Sequence, residues 1–334
     1  HLGRIDRLSL RSGVSKASRR WLLLRMVANF PPTSLGECIV KKLSAILCAA
    51  AALSPAAVYA QDMSKVEIKA EQLAPGVAVL FGAGGNIGVS YGEDGTILID
   101  DQFAPLTPKI QKAITDLGAQ PVKFLINTHW HFDHSGGNEN LGKAGAVIMA
   151  HDNVRVRMAA GATVAGNTVP PAPKAALPVI TYSDGLKLHL NGEEVRVVHV
   201  PAAHTDGDSF IHWTKSNVIH MGDLFMFKIS FPFVDVGSGG DVRGFVTAAD
   251  KALAIANDQT KIIPGHGAVA TKADLQNHRN MVATVIAKVE AGIKAGKTLD
   301  QIKAGKPTEG FGINAEGFIT ADRFVETVFN NLKN

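Results

Sequence analysis

The amino-acid sequence predicts an α/β fold in which two sheets pack inside helical layers. Two observations support this prediction: short β-rich runs form a meander in each half of the chain, and helical patterns flank them. Strands and helices in this order imply a sandwich of one domain. With 334 residues, 46% of them hydrophobic and 19% charged, the chain can bury such a core, and its composition excludes a disordered or fibrous protein.

The first 60 residues are expected to lie outside this domain. Residues 40–60 combine two lysines, an apolar run over 43–53 and the small Val58 and Ala60 before a cut, which is the pattern of a signal peptide. The apolar run is shorter than the about 20 residues that span a bilayer, so no stable membrane anchor is expected. A buried or membrane-anchoring helix is the alternative. Residues 1–39 begin with histidine and are interpreted as non-native upstream sequence.

Removing this leader changes the charge of the chain. The leader holds nine Lys and Arg against two Asp and Glu, which leaves 25 basic and 28 acidic residues in 61–334. The mature protein is therefore slightly acidic and offers no footprint for nucleic acid. Cys38 and Cys48 both lie in the leader, so a metal site must use His and carboxylate. We predict a periplasmic or secreted protein with a small-molecule substrate; the sequence leaves its oligomeric state open.

The first half of the mature chain opens as a meander. Three short β-rich runs are separated by glycine turns: 77–81, 87–91 and 96–99. The spacing over 108–117 predicts a helix, and 122–126 is an apolar run of strand length. A further strand is expected at 147–149. Residues 159–178 are rich in Gly, Ala, Pro and Thr, which predicts a lid or a mobile loop.

The second half repeats this order. Alternating or apolar runs predict strands at 179–182, 186–190, 195–200, 209–213, 218–221 and 261–263. Asn191-Gly192 is a hairpin turn between two of them. Helical patterns cover 246–256, 275–291 and 321–332. Residues 61–334 are therefore expected to form one domain without internal repeats.

Four potential metal ligands directly follow the predicted apolar strand at 122–126: His129, His131, Asp133 and His134. Residues two apart in an extended segment share a face, so His129 and His131 can converge on one ion. Asp133 and His134, in the turn that follows, can point at a second ion. His and carboxylate without thiol suit zinc, with manganese or iron as alternatives. Three further elements, each after a predicted strand, can supply ligands: His204, Asp223 and His266.

The order of these residues resembles that of the metallo-β-lactamase superfamily. An HxHxDH motif is followed by His204, by Asp223 in a Gly-Asp pair and by His266 in a Gly-His-Gly, within residues 75–290. The resemblance implies an αββα four-layer sandwich. It also implies one metal on His129, His131 and His204, and a second on Asp133, His134 and His266, with Asp223 bridging both. Asp100, at the end of a predicted strand, matches an aspartate that in this family steadies the loop carrying the HxHxDH motif. This loop, residues 129–134 in this chain, is called the histidine loop below.

A pair of cations can supply both the nucleophile and the activation of the substrate that hydrolysis requires. Cations about 3.5 to 4 Å apart hold a shared water whose pKa falls from 15.7 towards about 7, and they polarise the carbonyl under attack. Asp133 is predicted to act in catalysis by orienting this water or moving its proton. The chain has no Gly-x-Ser-x-Gly motif and its mature part no cysteine, which excludes the usual serine and thiol hydrolases. We predict a di-zinc hydrolase of carbonyl C–N or C–O bonds.

A β-lactam ring is the leading candidate substrate, because β-lactams are met in the periplasm. Dedicated zinc β-lactamases usually carry Cys or Ser where Asp223 stands, so a lactone, ester or thioester hydrolase is the first alternative. A mononuclear iron oxygenase and a metal-binding protein without turnover are further alternatives.

Residues 225–236 follow Asp223 and are expected to form a substrate wall or to cover the core. The histidines without ligand spacing are expected to be packed or surface residues: His151, His189, His199, His212, His220 and His278.

Overall fold

The computed structural model describes residues 62–314 and 316–333. The predicted signal peptide at 40–60 and the upstream segment 1–39 lie outside the described residues. Among the described helices, none combines the length and the apolar character that a bilayer crossing requires.

The first sheet has seven strands. In spatial order they are β1 (Lys69–Ala74), β2 (Val77–Phe81), β3 (Ile87–Gly92), β4 (Gly95–Ile99), β5 (Val122–Ile126), β6 (Val147–His151) and β9 (Ile180–Tyr182). The pairs from β1 to β4 are antiparallel, and β4, β5, β6 and β9 are parallel. The carboxyl ends of β4 and β5 therefore lie at one edge, where Asp100 and the histidine loop begin.

The second sheet has six strands. They are β10 (Gly185–Leu190), β11 (Glu193–His199), β12 (Ser209–Trp213), β13 (Val218–His220), β14 (Lys261–Ile263) and β15 (Ala270–Thr271). β12 is antiparallel to both β11 and β13, and β13 is parallel to β14, so β11, β13 and β14 run in one direction. Their carboxyl ends share one edge of the sheet, and the loops that carry His204, Asp223 and His266 start there.

Helices cover the outer face of each sheet. They are α1 (Thr107–Asp116), α2 (Phe132–Ser135), α3 (Asn138–Lys143), α4 (Asp152–Ala160), α5 (Val242–Ile255), α6 (Lys272–Lys294), α7 (Leu299–Ala304) and α8 (Ala321–Lys333). In β4, Ile97 and Ile99 face the second sheet, whereas Leu98 faces Ile110 of α1. Both faces of the strand are thus buried, as expected for the inner layers of a sandwich.

The segment 159–178, expected to be a lid or mobile, contains a short hairpin. β7 (Ala162–Val164) pairs with β8 (Asn167–Val169), and Val164 and Ala176 are buried. These side chains belong to the same apolar cluster as Trp130, which lies between two of the predicted metal ligands. The segment therefore supports the histidine loop from outside.

Candidate metal centre

The structure brings together all seven predicted ligands. Three groups each place their ligand atoms within 4.8 Å of one another: His129, His131 and His204; His129, His134 and Asp223; Asp133, His134 and His266. Asp133 and His266 keep 25% and 21% of their side chains exposed, whereas the other five residues are buried. A substrate would therefore approach from the side of Asp133 and His266.

Asp100 fixes the conformation of the histidine loop. It adopts a left-handed backbone conformation, with φ 62°, directly after β4. Its carboxylate accepts hydrogen bonds from the backbone N and the hydroxyl of Thr128, both at 2.8 Å, and from Nδ1 of His134 at 2.7 Å. The role implied by the family resemblance agrees with these contacts.

Three of the ligand imidazoles each have one ring nitrogen next to a hydrogen-bonding group outside the set of predicted ligands. Asp100 holds Nδ1 of His134, the Asp235 carboxylate lies 2.9 Å from Nε2 of His131, and the carbonyl of Phe233 lies 2.6 Å from Nδ1 of His204. In each case the second ring nitrogen faces the centre. Hydrogen bonds of this kind fix the tautomer of metal-binding histidines. Asp235 escaped the sequence analysis because it is 104 residues from His131 in the chain.

The nitrogens that face the centre lack ordinary partners. Nε2 of His129 is buried without a hydrogen-bond partner among the described residues, while its Nδ1 lies 3.0 Å from the Thr128 hydroxyl. Nδ1 of His131 lies 2.9 Å from Nε2 of His204. Buried polar atoms are normally paired, and two facing lone pairs repel unless a cation or proton lies between them. Imidazole and carboxylate donors without thiolate fit zinc.

Asp223 offers one oxygen to each part of the site. Its Oδ1 lies 3.0 Å from Nε2 of His134 and 3.4 Å from Nε2 of His266. Its Oδ2 lies 3.6 Å from Nε2 of His204. The Asp223 side chain can occupy this position because residue 265 is glycine: a Cβ on residue 265 would lie 2.0 Å from Oδ1 of Asp223. The carboxylate is placed where a bridging ligand is expected.

The histidines fall into two electrostatic classes. Burial lowers the pKa of His129 well below its usual value and that of His204 to about 4. Burial also opposes protonation of His134 and His266, but Asp223 and Asp133 outweigh it, so the pKa of His134 rises well above its usual value and that of His266 to about 9. Without metal, the first class therefore favours the neutral imidazole and the second the protonated one.

Zinc binding at pH 7 is therefore expected to release about two protons, because ligating imidazoles must be deprotonated. The affinity should rise with pH up to about 9, where His266 loses its proton. The folded-state pKa of His266 is raised, so the metal-free protein should lose stability as the pH increases from 6.5 through 9. Calorimetric titration with zinc in two buffers of different ionisation enthalpy measures the protons released. Release of none would argue against His134 and His266 as ligands.

The family model of the metallo-beta-lactamase superfamily matches residues 81–266, more than half of the chain. The chain belongs to the metallo-β-lactamase superfamily. This match runs from the last residue of β2 to His266 and so includes all seven predicted ligands. The predicted family and the predicted αββα fold are both confirmed.

Solved structures of the same superfamily fold resemble this one. The sec-alkylsulfatase Pisa1 from Pseudomonas sp. has a TM-score of 0.61 and 16% identity, over 79% of this chain and 50% of that chain. A metallo-beta-lactamase from Pontibacter korlensis has a TM-score of 0.54 and 16% identity, over 65% and 99%. The DIM-1 metallo-beta-lactamase has a TM-score of 0.53 and 19% identity, over 66% and 99%. The chain thus spans about half the length of the sulfatase, and at these identities the likeness shows the fold.

The segment 225–236 covers the core at one position and lies beside the candidate metal centre at another, and its role as a substrate wall stays a prediction. Phe231 stacks on Phe324 in the core, with ring centroids 5.6 Å apart. Phe233 instead lies against His131, with centroids 5.8 Å apart and planes 27° apart. The histidines without ligand spacing belong to none of the three ligand groups found among the described residues.

Proposed function

We propose that the protein is a di-zinc hydrolase that cleaves a carbonyl C–N or C–O bond of a small molecule. The observation that carries the proposal is Asp223, whose two oxygens face different histidine groups. His129, His131 and His204 would hold one ion, Asp133, His134 and His266 the other, and Asp223 would bridge them. When bound, the ions supply a nucleophile at neutral pH and polarise the carbonyl.

The chain's own residues would prepare the site in two ways. Asp100 and Asp235 keep His134 and His131 in the tautomers that direct a lone pair inwards. Burial of most of the ligands excludes water from their contacts, which strengthens electrostatic interactions. Asp133 is the more exposed of the two carboxylates facing the centre, on the side from which a substrate approaches.

A β-lactam is the first substrate to test. This choice of substrate depends on the proposed export to the periplasm after cleavage near Ala60. Lactones, esters and thioesters present the same electrophilic carbonyl and are the alternatives. N-terminal sequencing of the protein recovered from its native host tests the export step. A mature protein that begins well before Gln61 would contradict it.

The proposal is tested by measuring metal content together with hydrolysis. The purified protein, after dialysis against zinc, should hold about two zinc ions per chain. It should then hydrolyse at least one of a chromogenic cephalosporin, an acyl lactone and a thioester. A single bound iron would favour the oxygenase alternative. Two zinc ions with no turnover of the whole panel would favour a metal-binding protein.

Replacing Asp133 with asparagine is expected to lower kcat by about a hundredfold, because a carboxylate next to the nucleophile orients it and accepts its proton. Nearby histidines overcome the effect of burial and hold the pKa of Asp133 at about 2, so the carboxylate is ionised at neutral pH. Zinc content and the pH profile of kcat are measured together. A variant that keeps both metals and near-normal turnover would rule out the proton role.

A further inference from the structure

An exposed apolar strip borders the metal centre. It consists of Phe81, Ala268, Ile229, Phe318 and Phe233. Ile229 is 43% exposed and Phe318 52% exposed, although both are large hydrophobic residues. Exposed apolar side chains that adjoin one another and a polar site indicate a ligand-contacting surface.

One end of the strip forms a cavity beside His266. The cavity has a volume of about 510 Å³, and Phe81, Ile229 and Ala268 contribute to its wall. Besides His266, the only charged or titratable side chain among the described residues that line it is Glu71. Asn86 and several glycines complete the wall, so a ligand that enters here meets apolar side chains next to polar groups.

The other end of the strip reaches the opposite half of the metal centre. Phe233 lies against His131 and also contacts His204, with ring centroids 5.6 Å apart. The ring of Phe318 meets Phe233 edge-on, at 5.7 Å and 86°. Phe318 therefore lies next to a ring that contacts two of the predicted metal ligands.

The backbone around Phe318 is held firmly. The hydroxyl of Ser230 accepts a hydrogen bond from the backbone N of Ile319 at 2.8 Å, and the backbone N of Phe231 donates to the carbonyl of Ile319 at 3.3 Å. A Cβ at Gly317 would lie 2.3 Å from the carbonyl oxygen of Ile229, so this close approach needs glycine. Ile319 is buried in the core while Phe318 remains exposed beside Phe233.

Phe318 lies outside residues 81–266, which the superfamily model matches. We propose that Phe318, with Phe233, determines specificity by binding the apolar chain of an ester or lactone whose carbonyl lies at the metal centre. This inference rests on the proposed hydrolase function. It selects substrates with a long apolar chain within the class of carbonyl compounds, and it places a contribution to specificity in the C-terminal segment.

Chain-length dependence of hydroxamate binding tests the inference, because hydroxamates bind zinc and need no turnover. Octanohydroxamate should bind the zinc-loaded protein at least about tenfold more tightly than acetohydroxamate, as expected for burial of several methylene groups. Phe318→Ala should reduce this ratio of Kd values by about fivefold to tenfold, and Phe318→Leu should retain most of it. Calorimetry gives the Kd values. Ile255→Ala, which trims a 39% exposed residue at the end of α5, is the control and should keep the wild-type ratio.

An unchanged ratio in Phe318→Ala, or a wild type without chain-length preference, would overturn the role of Phe318.

The two proposals fail in different ways. A wild type that prefers octanohydroxamate yet hydrolyses no ester, lactone or β-lactam would contradict the hydrolase proposal and leave the apolar strip as a binding surface. Hydrolysis of esters without chain-length preference would contradict the specificity proposal alone. Failure to bind zinc would contradict both, whereas binding of zinc and turnover without binding of either hydroxamate would contradict the specificity proposal alone.

Discussion

In the proposed di-zinc centre, replacing Asp223 with asparagine is expected to remove about one of the two zinc ions and to lower kcat by about a thousandfold. Asp223 presents one oxygen to His134 and His266 and the other to His204. In asparagine an NH2 group replaces one of these oxygens, and an amide nitrogen does not bind zinc at neutral pH. The variant keeps the shape of the side chain, so the loss reports on bridging rather than on packing.

Mass spectrometry of bound metal and steady-state kinetics measure the two effects separately. Asp250→Asn is a suitable control, because Asp250 is 53% exposed and pairs with Arg279 on the surface. If Asp223→Asn keeps two zinc ions and turns over within threefold of the wild type, the bridging role is wrong and each ion must be held by its own set of ligands.

The sequence predicts best those strands that consist of short, well-bounded apolar runs. β2, β5, β12 and β14 occur at the predicted residues, because their apolar runs end at clear turn signals. β1 was not predicted, since four of its six residues are exposed and the strand lies at the edge of its sheet. An edge strand with polar side chains shows no apolar alternation for periodicity to detect.

Two helix starts could have been found from capping residues. α7 begins after Thr298, whose hydroxyl accepts from the backbone N of Gln301 in a capping box. Thr271 and Asp274 form the same arrangement at α6, which begins three residues before the predicted start at 275. This signal depends on two residues three apart, so it survives in short helices where periodicity does not.

The ligands of the candidate site were accessible to sequence reasoning, whereas their supports were not. His129, His131 and His134 are close in the chain, and their spacing alone indicates a metal site. Asp235 and Gly265 act through contacts across more than 40 residues, with His131 and Asp223 respectively. Only the fold reveals such contacts, because neither residue type is unusual in a loop.

Replacing Asp100 with asparagine is expected to weaken zinc binding by about 10-fold to 100-fold and to destabilise the protein by about 3 kcal/mol. Oδ2 of Asp100 accepts from both the Thr128 hydroxyl and Nδ1 of His134. An NH2 group at this position would face two donors. His134 would then carry its proton on Nε2, the nitrogen that faces the centre, and could no longer bind metal through it. Asparagine tolerates the left-handed backbone at φ 62°, so backbone strain does not confuse the result.

The neighbouring Asp101 provides a matched control. Burial raises the pKa of Asp101 well above its usual value. Its Oδ1 accepts from the backbone N of Gly137 at 2.8 Å, while its buried Oδ2 has no hydrogen-bond partner among the described residues. Asp101→Asn keeps this acceptor and should change stability by less than about 1 kcal/mol. Equal losses in Asp100→Asn and Asp101→Asn, by chemical denaturation and zinc titration, would show that burial of a carboxyl group matters here and that the tautomer of His134 does not.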